Sequence, residues 1–264
     1  MARGPGERLA AALVTVLAAA ACSGSDGGGP AADAAPATTA GASTTTAVTA
    51  CDPARPAPSG RERRTTVHDG IEREYTLSIP ASYDGATPAP LLLNLHGFGG
   101  TADAQDERTG LPEAGGARGY VVVTPQGLPI SIPSGIPGAG DAARFEGIPF
   151  WNFFGSGEVD FGGAVLPGGV DPSELGADDV GFLSGLLDEL EEELCVDPDR
   201  FYSTGMSNGA GMTTTLGCEL GERLAAIAPV SGVNLTGRCP GDAPVSVLAV
   251  HGDADPAVVY EGAA

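Results

Sequence analysis

The chain is 264 residues long, enough for one substantial domain with appendages. Its formal net charge of −21, from 34 acidic against 13 basic residues, argues against nucleic acid or an anionic membrane surface as a partner. Every basic residue is Arg, which beside 41 Gly reads as a coding bias rather than a functional device.

Residues 1–21 read as an export signal, with Arg3 and Arg8 ahead of an apolar run from Leu9 to Ala21. The run is short and Ala-rich for a permanent membrane span. It ends in Leu17-Ala18-Ala19-Ala20-Ala21-Cys22, which resembles a bacterial lipobox, so Cys22 is the expected lipidation site. An ordinary signal cleaved at an Ala-x-Ala site is the alternative. Residues 22–58 are Gly, Ser, Ala, Thr and Pro with few large apolar groups; such a segment buries too little surface to offset its ordering entropy and reads as a flexible tether. The membrane is therefore expected as a partner only through a lipid at Cys22, and the localisation as secreted, on a bacterial cell surface.

Beyond Cys22 there remain Cys51, Cys195, Cys218 and Cys239, which in an exported protein suggest two disulfides. Three connectivities are possible. The preferred one is Cys218–Cys239 with Cys51–Cys195, because 218 and 239 flank one strand and its return loop.

Residues 59–264 alternate short apolar runs with amphipathic stretches, the pattern of an α/β fold with a largely parallel sheet. Arg64–His68 and Glu72–Ile79 flank Asp69-Gly70, a hairpin signal. Leu91–Leu95 and Tyr120–Thr124 read as buried strands, with a helix over 103–118 between them. The stretch 127–176 is rich in Gly and Pro without a sustained period and reads as a substrate-facing loop. Trp151 within it reads as a packing anchor, with substrate stacking as the alternative. Asp178–Cys195 is the clearest helix, with Val180, Leu183, Leu187, Leu190 and Leu194 at spacings of three and four. Phe201–Thr204 then reads as a strand, Ala210–Leu220 as a helix, and Ala225–Val230 and Val245–Val250 as two more buried strands.

Chemistry enters at Gly205-Met206-Ser207-Asn208-Gly209, a Gly-x-Ser-x-Gly stretch between a strand and a small-residue helix. That context presents a serine hydroxyl at the edge of a sheet, so Ser207 is the expected nucleophile. Acyl transfer also needs preset N–H donors for the oxyanion. The amide of Asn208 is one; the second is expected from the loop His96-Gly97-Phe98-Gly99-Gly100, at Phe98. His96 itself reads as scaffold. In His251-Gly252-Asp253-Ala254-Asp255, Asp255 is the favoured acid and Asp253 its competitor, while His251 shares their turn too closely to be the base. His68 reads as a surface residue. The histidines and cysteines show no ligand spacing, so no metal and no cofactor is expected.

Together these stretches resemble the secreted esterase family that includes polyhydroxybutyrate depolymerases and feruloyl or acetylxylan esterases. The resemblance rests on Leu95–Gly100, Thr124–Gly127, Trp151-Asn152, Asp178–Phe182, Cys195–Pro198, Gly205–Ala210 and His251–Pro256, in that order. It implies an α/β-hydrolase fold and a Ser–Asp–His triad in which Ser207 and Asp255 are the first two members. It implies hydrolysis of carboxylic esters, of polyhydroxyalkanoate or acylated-polysaccharide type, through an acyl-enzyme. The family's His follows several tens of residues after the acid, so the chain reads as C-terminally truncated, lacking the last strand, a helix and that His, and inactive as given. The alternative reading is a non-catalytic, degenerate hydrolase-fold binding protein at the cell surface. A third, a serine peptidase on the same fold, is separable from an esterase only by substrate.

Overall fold

The computed structural model describes residues 50–132, 145–153, 178–233, 239, 241 and 243–260. The chain divides into two units at Thr45/Thr46, and the described residues all lie in the second. Cys22, the signal and most of the tether fall outside them.

The Asp69-Gly70 signal produces the expected hairpin. Strands β1 (Gly60–His68) and β2 (Ile71–Ile79) pair antiparallel through a turn whose two residues have φ of 51° and 76°. Left-handed values at both positions are what a two-residue turn needs to match the strand twist. β3 (Ala89–Leu95) and β4 (Val121–Pro125) are mostly apolar because both of their faces are covered; Leu91, Leu93, Leu95 and Val121–Val123 are fully buried, and so are the hydrogen-bonded Asn94 and Thr124. Between them the expected single helix is two: α1 (Ala102–Thr109) stops at Gly110, φ 59°, and α2 (Leu111–Gly116) restarts there with Pro112 in its first turn. Left-handed backbone ends a helix, and proline is preset to begin one.

The stretch after β4 departs from the sequence reading. Where a long irregular loop was expected, β5 (Leu128–Ile132) and β6 (Phe145–Phe150) form a separate two-stranded antiparallel sheet. Its register is irregular between Ile130 and Ile132, and Pro129 faces Pro149, so no alternating pattern marks it. The remainder of that loop, 133–144 and 154–177, lies outside the described residues.

Helix α3 (Asp179–Glu193) is capped by Asp178, whose carboxylate accepts from the Gly181 N–H at 2.8 Å. It buries Phe182, Leu183, Leu186, Leu187 and Leu190, worth about 2 kcal/mol each in transfer free energy. Its acidic residues Asp188, Glu189, Glu191 and Glu192 leave the opposite face to solvent or to partners such as Arg223, 2.7 Å from Asp188. The chain then runs through β7 (Val196–Met206), α4 (Asn208–Glu219), β8 (Ala226–Val230) and β9 (Ser246–Val247).

The seven-stranded sheet has the order β1-β2-β4-β3-β7-β8-β9, antiparallel at β1–β2 and β2–β4 and parallel from β4 to β9. With helices between its parallel strands, this is the α/β-hydrolase architecture. The expected buried strand over Val245–Val250 is instead a short edge: β9 spans two residues, and Val247, Leu248 and Val250 are 53%, 67% and 50% exposed. Apolar composition predicts a central strand, but among the described residues β9 pairs with β8 alone, and the same residues face water. Disulfides join Cys51 to Cys195 and Cys218 to Cys239, the preferred pairing.

Candidate active site

The site forms where β3 and β7 end side by side. Their register places Leu95 opposite Gly205, so the loop after β3 and the turn after β7 emerge together. Ser207 occupies that turn with φ 55° and ψ −118°, a left-handed backbone rare outside glycine. The turn is tight enough that its glycines admit no side chain. A Cβ on Gly205 would lie 2.3 Å from the Gly209 carbonyl oxygen, and one on Gly209 would lie 2.4 Å from that of Leu95. β7, the turn and α4 thus pack backbone to backbone against the end of β3. Ser207 N–H donates to Val230 O at 2.9 Å, which ties the turn to β8 as well.

The loop His96–Gly100 lies against this turn: a Cβ on Gly97 would stand 3.6 Å from the Cβ of Ser207. Phe98 is 44% exposed and meets Phe150 edge-on, while Gly99 N–H donates to Pro149 O at 2.9 Å. The two expected oxyanion donors, Phe98 and Asn208, therefore sit on two segments packed together beside Ser207. Asn208 also opens α4, where the helix dipole favours a developing negative charge.

His96 is fixed away from this chemistry. Its Nδ1–H donates to Gly97 O at 2.8 Å, and its Nε2 accepts from Gly127 N–H at 2.9 Å and from the Gln126 amide at 3.1 Å. Burial pulls the imidazole down to about 4, against the smaller upward pull of the Gly97 carbonyl. It is a neutral strut that holds the loop's shape.

The segment after β6 joins the parts, with Trp151 as the packing anchor the sequence suggested, through partners the sequence did not indicate. Trp151 is fully buried, and its indole N–H donates to His96 O at 3.0 Å. Its backbone exchanges two hydrogen bonds with the Asn208 side chain, Trp151 N–H to Oδ1 at 2.8 Å and Nδ2–H to Trp151 O at 2.9 Å. Asn152 N–H donates to Asp179 Oδ2 at 2.7 Å, and the other oxygen of Asp179 accepts from the buried Arg73 at 2.5 Å. The sequence marked Trp151 as an anchor, but nothing in it named Asn208 or Asp179 as partners of this segment.

Asp255 lies beyond β9. Its carboxylate accepts from Ala257 N–H at 2.9 Å and Val258 N–H at 3.0 Å, and its other oxygen stands 3.6 Å from His251 Nε2. The Val258 and Ala257 amides hold the carboxyl below the usual carboxylate range, helped by the Ser231 hydroxyl and by His251. Ser231, unmarked in the sequence, has φ 53° and bonds Val250 O through its N–H at 2.8 Å. It adjoins Val230, the residue that holds Ser207, so one backbone step separates the anchors of the serine and the acid. Asp253 is exposed. His251 Nε2 donates to Val258 O at 2.7 Å. None of the three histidines bonds Ser207.

No family model matches the chain. Over 198 residues it is 27% identical to a probable feruloyl esterase C of Aspergillus niger, and over 209 residues 27% identical to feruloyl esterase C of Emericella nidulans. These alignments cover 74% and 77% of the chain but only 60% and 64% of the relatives' lengths. The structure superposes on an S-formylglutathione hydrolase from Agrobacterium tumefaciens with a TM-score of 0.52, at 14% identity and 83% coverage of each chain. That likeness shows the fold.

Proposed function

We propose that this chain, an α/β-hydrolase relative of the feruloyl esterases, is a serine hydrolase of carboxylic esters acting outside the cell. The observation that carries the reading is Ser207 at a left-handed φ of 55° between β7 and α4, with the His96–Gly100 loop in van der Waals contact. A binding scaffold has no use for a serine held in strain at a sheet edge.

In this mechanism the Ser207 oxygen attacks the ester carbonyl carbon while an imidazole takes its proton. The carbonyl oxygen gathers negative charge between the amides of Phe98 and Asn208. The imidazolium returns the proton to the departing alkoxide, which leaves as the alcohol. Water then attacks the acyl-serine by the same route, releasing the acid and restoring Ser207. Asp255, kept ionised by two amides, is the group that would orient the imidazole. The relatives' name supports a feruloyl ester as substrate; the acylated-polysaccharide and polyester classes rest on the sequence resemblance alone. Two disulfides support an oxidising compartment, and the lipid at Cys22 rests on the sequence alone.

The test is labelling by a fluorophosphonate probe together with hydrolysis of aryl and hydroxycinnamoyl esters. Labelling at Ser207 that is lost in Ser207→Ala and accelerated by free imidazole supports the reading. A probe that ignores Ser207 even with imidazole present overturns it. One observation favours a second reading, a hydrolase scaffold used for binding: the rings of His96 and His251 bond Gly97, Gln126, Gly127 and Val258 rather than Ser207. Ligand binding without turnover under rescue conditions would select it.

A further inference from the structure

Three donors that the sequence holds far apart meet where the β1–β2 turn touches the start of α3. His68 Nε2 stands 3.6 Å from Asp69 Oδ2 and 3.5 Å from Asp178 Oδ2, and the three atoms lie within 4.8 Å of one another. The Nε2 atom is buried and has no hydrogen-bond partner among the described residues. These separations are long for hydrogen bonds. They match donors arranged around one ion, because metal–ligand bonds of about 2.1 Å at tetrahedral angles put neighbouring donors about 3.4 Å apart. We propose that His68, Asp69 and Asp178 form a divalent-cation site, suited to zinc, which fastens the β1–β2 turn to the N-terminus of α3.

The local structure prepares each donor. Asp69 sits in the hairpin turn at φ 51°, next in sequence to His68, so the turn carries two donors at once. The oxygens of Asp178 divide their work: Oδ1 accepts from Gly181 N–H and caps α3, while Oδ2 is turned toward His68. Gly181 keeps this space open. A Cβ there would fall 2.0 Å from Asp178 Oδ2 and 3.0 Å from His68 Cε1. One imidazole nitrogen with two carboxylates favours zinc over magnesium or calcium, which take oxygen donors. Water completes the coordination of a site at the surface. Asp179, the next residue, holds Asn152 and Arg73, so an ion here braces the segment that carries Trp151.

Direct contact of His68 with the two carboxylates, with no ion between them, is the competing arrangement. Binding separates the two states, and it does so independently of any catalytic reading. The metal-stripped protein is titrated with zinc chloride by calorimetry and followed by thermal melting. One equivalent of zinc is expected to bind and raise the melting temperature, whereas magnesium at the same concentration does neither. The magnesium control removes loose attraction to the net charge of −21. His68→Gln should weaken zinc binding at least about tenfold, since losing a ligand costs no less than losing an outer-shell partner. Asp178→Asn, which retains a good helix cap, should do the same. A wild-type protein indifferent to zinc, or zinc binding by both variants as tight as that of the wild type, overturns the proposal. If His68→Gln does not fold, Asp178→Asn decides.

Discussion

The Asn208 side chain and the Trp151 backbone hold each other by two reciprocal hydrogen bonds, 2.8 and 2.9 Å long and both buried. An amide side chain thereby pairs with a peptide group as a neighbouring strand would. It comes from the residue after the candidate nucleophile, so the clasp fixes the position of the amide expected to face the oxyanion. Asn208→Ala leaves a buried donor and a buried acceptor unmatched. It should cost about 3 kcal/mol of unfolding free energy, readable in urea titrations at constant m-value. A loss within about 0.5 kcal/mol would show that water replaces the clasp at no cost.

Ser207 trades stability for presentation. Its φ of 55° should cost about 1 kcal/mol, which glycine would not pay. Ser207→Gly is therefore expected to melt higher than the wild type while losing all fluorophosphonate labelling. A lower melting temperature would mean that the hydroxyl contributes more to the fold than the backbone strain removes.

Acid should weaken the protein through His96. Its folded-state value of about 4 lies below the ordinary 6.5, so the unfolded chain binds the proton more readily. Stability from this group is fully present above about pH 6.5 and declines as pH falls toward 4. The loss is on the order of 3 kcal/mol. Asp255 acts in the same direction at lower pH, since a depressed carboxyl loses its contribution as pH falls through its folded value. His96→Gln should flatten the unfolding free energy between pH 6.5 and 4 relative to wild type; an unchanged slope would refute the assignment.

The two disulfides should differ in weight. Cys51–Cys195 closes a sequence separation of 144 and Cys218–Cys239 one of 21. Chain entropy gives about 5 and about 3 kcal/mol respectively. Paired Cys→Ser variants unfolded in urea would check the order, and a larger loss from the shorter loop would contradict it.

The exposed edge at β9 should make the protein sticky. Val247, Leu248 and Val250 present apolar side chains at the last described strand of the sheet. Leu248→Arg is expected to lower hydrophobic-dye fluorescence and concentration-dependent light scattering. No change in either would show that this edge is not what drives association.

Much of this arrangement was legible because it rests on local rules. Asp69-Gly70 specified a hairpin turn, the Leu183, Leu187 and Leu190 spacing specified α3, and small residues around Ser207 specified a crowded turn. What the sequence hid depends on contacts between distant segments. β5 and β6 could not be read because prolines and a register shift erase the alternation of a strand. Val245–Val250 looked central because apolarity reports what a strand prefers, not whether both of its sides are paired. The links from Trp151 to Asn208 and from Ser231 to Asp255 have no periodicity at all. They are hydrogen bonds between segments distant in the chain, and only the folded arrangement reveals them.

The Cys51–Cys195 bridge also decides how the domain bears tension. A pull on the segment before Cys51 reaches Cys195 through covalent bonds, and so enters between α3 and the central strand β7. The edge hairpin β1–β2, which follows Cys51 in the chain and would otherwise peel away first, is bypassed. With the bridge intact, drag on the N-terminal segment loads the sheet at its middle; under reducing conditions the same drag would unzip the domain from its rim.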